Sequence, residues 1–139
     1  MLPDANQVRQ RPLTFATHVL PAVGYAGVIF YTGLIKLGPL PEGPIVATDK
    51  LLHAVVFGAL SLLLARAAHW LWPRTTLSRK LARGGVGSCT LGLLLEVCQA
   101  FTAYRSADVF DWVADTVGVL IALAVTFALF SLFPRRAHG

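Results

Sequence analysis

Four apolar runs divide the chain, at about 13–35, 51–72, 85–104 and 110–133. Each is close to the ~20 residues that an α-helix needs to cross the hydrocarbon core of a bilayer. A segment in lipid must satisfy its own backbone hydrogen bonds, so runs of this length read as helices. The pattern predicts an all-α integral membrane protein: four transmembrane helices in a small bundle, one membrane domain over residues 1–139. Only 14% of the residues are charged and 55% are hydrophobic, against about 25% charged in soluble domains. The formal net charge of +5 could suggest nucleic acid. The basic residues, however, stand in short groups between apolar runs, as in membrane proteins. Membrane lipid is therefore the expected partner and nucleic acid is not.

The first run follows Arg9 and Arg11 as a signal peptide might. Its length of about 23 residues exceeds the usual 7–15 of a signal h-region, and it reads as a retained span. Pro21 and Gly24 are expected to kink it. Cys89 and Cys98 lie nine residues apart on one expected helix. That is about 13 Å, too far for a disulfide, so both are expected as free thiols.

Lysine and arginine give an orientation. Arg9 and Arg11 precede the first run; Arg74, Arg79, Lys80 and Arg83 separate the second from the third; Arg135 and Arg136 follow the fourth. With four crossings these share one side, and Lys36, Lys50 and Arg105 take the other. The positive-inside rule then predicts cytoplasmic termini in the cell inner (cytoplasmic) membrane. "GPLPEGPIVATDK" (38–50) and "RSADVF" (105–110) would face outward, the first as an extended, proline-rich cover segment. Asp4 would be cytoplasmic. The other acids, Glu42, Asp49, Glu96, Asp108, Asp111 and Asp115, all fall in the outer half.

A charge inside a membrane needs a reason. On an ideal helix Asp108, Asp111, Asp115 and Gly118 share about 80° of arc, forming a column about 10 Å deep. Gly92, Glu96 and Gln99, at i, i+4 and i+7, form a second column on the third span. Asp49, Lys50 and His53 open the second span. The least costly arrangement turns these faces toward each other, with Lys50, His53 and Arg105 as counter-charges. Glu96, Asp111 and His53 are expected to approach one another.

The segments "DKLLH" (49–53), "EVCQAF" (96–101) and "RSADVFDWVADTVG" (105–118) resemble, in that order, the VanZ-like family of small multi-span bacterial membrane proteins. The likeness centres on a core over 49–122. The family is named for a member linked to low-level resistance to the glycopeptide teicoplanin. The resemblance carries its pattern onto Asp49, Lys50, His53, Glu96, Gln99, Arg105, Asp108, Asp111 and Gly118. It implies a cell-envelope setting. The chain departs at Asp115, where the family commonly has asparagine, and at Ala122, where a glycine is frequent.

Several of these residues also have plain structural roles. Asp49 and Asp108 suit helix N-termini, Gln99 suits an interhelical hydrogen bond, and Arg105, Arg66 and His69 suit snorkelling. Asp115, nearly two turns into its helix, escapes the capping explanation. Three functions fit: a pocket binding an envelope ligand, lipid-linked or peptidoglycan-related; a membrane enzyme on a lipid-linked phosphate, with Mg²⁺ held by the carboxylates; or an ion-coupled transporter subunit, for which four spans would require a homo-oligomer. No catalytic signature selects the enzyme.

Overall fold

The computed structural model describes residues 15–35, 45–103 and 107–133. Four helices make the bundle: α1 (Leu20–Leu34), α2 (Ile45–Leu71), α3 (Leu77–Ala100) and α4 (Val109–Leu132). There is no strand among the described residues. α2, α3 and α4 are long and apolar enough to cross a membrane, and α1, at 15 residues, is shorter.

Small residues determine how closely these helices approach. A Cβ at Gly118 would run into the backbone carbonyl of Ala54, and one at Gly58 would sit 3.0 Å from the carbonyl oxygen of Gly118. α2 and α4 therefore meet backbone to backbone. α3 presents Gly84, Ser88 and Gly92 at four-residue spacing. A Cβ at Gly84 would collide with Ser61 and Ala65, while Ser88 Oγ donates to the Phe57 carbonyl at 2.9 Å. Small-residue faces of this kind let membrane helices gain packing contacts that the hydrophobic effect cannot supply within lipid. α1 lies against α2 and α3 and has no contact with α4.

The buried set is unusually polar for a small bundle: Ser61, Lys80, Ser88, Glu96, Gln99 and Asp115 are all enclosed. Large apolar side chains such as Leu51, Val86, Leu93, Phe110, Leu120 and Ile121 face outward. Water would not tolerate so large an apolar surface, whereas lipid does.

Several boundaries differ from the sequence reading. α3 starts at Leu77 rather than near residue 85, because Thr76 caps it by accepting from the Arg79 amide at 3.4 Å. Arg79, Lys80 and Arg83 are thus helical, and Arg83 lies 4.4 Å above the Trp72 ring. Residues 45–50, expected as part of an extended cover, are helical, so Asp49 sits in the second turn of α2 and caps nothing. Residues 15–18 are also helical, and a turn at Val19 interrupts the helix just ahead of Pro21, which occupies the first turn of α1, where its missing N–H is not needed; the expected break in the first run falls there. The expected start of the first span at residue 13 lies outside the described residues, as do 36–44.

Candidate functional site

At the end of the bundle where α2 and α4 begin and α3 finishes, charged side chains from three helices meet. Asp108 is the N-cap of α4, accepting from the Phe110 amide at 2.8 Å. Its other carboxylate oxygen accepts from Lys50 Nζ at 2.6 Å. Lys50 also donates to Asp111 Oδ1, one turn deeper. Lys50 thus clamps α2 to the first turn of α4. That cation and the Phe110 amide hold the Asp108 carboxyl below the usual carboxylate range.

One turn along α2, His53 Nε2 lies 3.7 Å from Asp111 Oδ2. Its Nδ1 lies 3.0 Å from Asp115 Oδ1. Phe57, a further turn on, stacks parallel to the imidazole with centroids 6.4 Å apart. Asp115 is 0% exposed. Its second oxygen has no hydrogen-bond partner and faces Gly92, where a Cβ would come within 2.8 Å of it. Gly92 is the space into which this carboxylate fits. The neutral histidine tautomer that donates from Nδ1 to Asp115 leaves its lone pair on Nε2, facing Asp111.

Glu96, 5% exposed, makes no ion pair with a described residue. Instead Oε2 accepts the Asp108 backbone N–H at 2.7 Å, while Oε1 has no hydrogen-bond partner. The carboxylate therefore ties the end of α3 to the entry of α4. Trp112 adds a second tie, donating from Nε1 to the Cys89 carbonyl at 3.1 Å. Gln99 is the interhelical link expected, donating to the Gly33 carbonyl of α1 at 3.0 Å. Both cysteines are free thiols.

Asp49 makes no hydrogen bond or ion pair with a described residue. Oxygen atoms of Asp49 and Asp111 and a ring nitrogen of His53 lie within 4.8 Å of one another. Asp49, His53 and Gln99 also form the polar rim of a groove of about 250 Å³ beside α1, with an apolar floor of Ile29, Val56, Phe57 and Leu95. Arg105, expected as a counter-charge, lies outside the described residues.

The structure thus brings together Asp49, Lys50, His53, Asp108, Asp111 and Asp115, joins Glu96 through the backbone, and puts Gln99 on the groove side. Phe57 and Gly33 were missed. Phe57 is one apolar residue among many in its run, and Gly33 acts through its carbonyl, which no side-chain pattern reports.

A chain whose described residues are helical, with three span-length apolar helices and carboxylates enclosed between them, has the features of a membrane protein whose helices surround a charged centre. The sequence matches the VanZ/LLP1 family over residues 5–131, nearly its whole length, and the chain belongs to that family. No curated protein and no solved structure matches it.

Proposed function

We propose that the charged end of the bundle is an outward-facing pocket that binds an envelope ligand, lipid-linked or peptidoglycan-related, in a multi-pass protein of the bacterial inner membrane. The single observation behind this reading is Asp49. Among the described residues it has no hydrogen bond or ion pair, and it borders an apolar groove beside a lysine–histidine–aspartate network. A carboxylate so placed suits a ligand with a cationic or hydrogen-bond-donating head and an apolar body. The reading assumes one membrane domain with four spans and cytoplasmic termini, with Arg105 near the pocket mouth. It links the protein to teicoplanin resistance through its family.

The test is growth in teicoplanin. Cells expressing the wild type should tolerate more drug than the host alone, and cells expressing Asp49→Asn should not. Wild-type cells no more tolerant than the host would remove the link to the drug. Asp49→Asn cells as tolerant as wild type would remove the pocket.

A second reading, a metal-assisted enzyme on a lipid-linked phosphate, draws on the Asp49–His53–Asp111 convergence. The donor set tests the metal. One imidazole and two carboxylates suit Zn²⁺ or Mn²⁺ better than the Mg²⁺ expected from carboxylates alone. Asp115 on the other ring nitrogen resembles the outer partner that orients metal-binding histidines. Lys50 on Asp111 Oδ1 competes, leaving that residue one oxygen. When bound, such an ion would polarise a phosphate. The residues themselves orient His53 and neutralise Lys50. Heat of Mn²⁺ binding by the wild type, lost in His53→Ala, would favour this reading over a metal-free binder. For a transporter subunit, the described residues carry no acid at the other end of the bundle to continue a path.

A further inference from the structure

The opposite end of the bundle carries its own charged site, of which the sequence reading took Arg66 and His69 for snorkelling side chains and Lys80 for a basic residue between two spans. Lys80, in the first turn of α3, is only 7% exposed. Its Nζ lies 3.2 Å from His69 Nδ1 on α2 and donates to the Pro73 carbonyl at 3.1 Å. An ammonium has three protons, and these two contacts leave at least one unmatched. Lys80, His69 and Arg66 border a slot of about 290 Å³ between α2, α3 and α4. The remaining walls are almost wholly apolar, including Leu62, Leu77, Leu81 and Phe130.

Among the described residues the slot holds cations without an anion. Every ion pair among the described residues is at the far end of the bundle, on Asp108, Asp111 or Asp115. No described carboxylate borders the slot. A buried cation without a counter-charge is costly even when hydrogen-bonded, and in a membrane such groups pair or mark a site. Leu62 and Phe130, both on the slot wall, are exposed on the lipid-facing surface, so the slot opens sideways into the bilayer.

We propose that this slot binds the phosphodiester headgroup of an anionic phospholipid. Lys80 meets the phosphate through its free proton, Arg66 reaches it from one turn up α2, and an acyl chain lies along Leu62 and Phe130. A soluble anion would make no use of the apolar walls. Basic pockets between membrane helices serve this purpose elsewhere. The site stands apart from the acidic end, whatever that end binds.

The experiment is thermal unfolding of the purified full chain in nonionic detergent. Short-chain phosphatidylglycerol, short-chain phosphatidylcholine and inorganic phosphate are added at equal concentration. Phosphatidylglycerol should raise the midpoint by several degrees more than either of the others. Lys80→Met should abolish that increment and leave the lipid-free midpoint unchanged or higher, since it removes an unpaired buried charge. Arg66→Gln, at an exposed position, should reduce the increment. Arg79→Gln, also exposed but outside the slot, should keep it. Equal effects of the two lipids would overturn the proposal. So would phosphate matching phosphatidylglycerol, or Arg79→Gln losing as much as Arg66→Gln, which would reduce the effect to net charge. If Lys80→Met does not fold, an undiminished increment in Arg66→Gln overturns the proposal by itself.

Discussion

At the scale of single residues, Asp111 and Asp115 differ more than their spacing suggests. Asp111 shares Lys50 with Asp108 and also faces His53 Nε2. Asp115 has one described hydrogen-bond partner, His53 Nδ1, and one oxygen held against Gly92 without a donor. An amide at 115 keeps an oxygen that can accept from His53. Asp115→Asn is therefore expected to lose about 0.6 kcal/mol, the usual value of an interhelical hydrogen bond in membranes. Asp111→Asn leaves a half-buried ammonium with one carboxylate instead of two. It is expected to lose about 1–3 kcal/mol, in the range for stripping a charged partner. Unfolding of both variants in detergent checks the order, and Asp115→Asn as the more damaged of the two would mean that the charge on Asp115 is what holds His53.

At the scale of helices, the bundle depends on a few places where side chains are absent. The crossing of α2 and α4 at Ala54 and Gly118 is the tightest, since a Cβ on Gly118 would overlap backbone rather than a side chain that could move. Gly118→Ala should therefore exceed the ~1–3 kcal/mol of ordinary overpacking. Because α4 carries Asp108, Asp111 and Asp115, it should also part Lys50 and His53 from their carboxylates. Gly24→Ala is the matched control. Nothing lies within 4 Å of a Cβ there, and alanine should stabilise α1 by up to about 1 kcal/mol through helix propensity. Folding yield and unfolding midpoint of the two variants give the comparison. Equal damage in both would show that α2 and α4 are not packed this closely.

At the scale of the molecule, charge is sorted along the bundle. The described acids lie at one end, and Arg66, Arg74, Arg79, Lys80 and Arg83 lie at the other. In a cell membrane this polarity should orient the protein with its basic end in the cytoplasm. A reporter fused after Gly139 should then be active when it reports cytoplasmic location and silent when it reports periplasmic location. The reverse result would invert the bundle and turn the Asp49 groove inward.

The sequence by itself determined the all-α class, the long apolar helices and the family. Hydrophobic run length reports the helices, and the motifs along them report the family. The carboxylate column of α4 and the link from Gln99 were legible in the same way, because each follows from spacing along one helix. Only the tertiary structure decided the partners. It gave Asp115 to His53, Glu96 to the Asp108 amide, Lys50 to two aspartates at once and Lys80 to His69. These pairings depend on how each helix is rotated and how closely it approaches its neighbour. Gly118 against Ala54 and Gly84 against Ser61 set that rotation and distance. A helical period tells which residues share a face, but the face across from it is chosen by backbones that touch where side chains are missing.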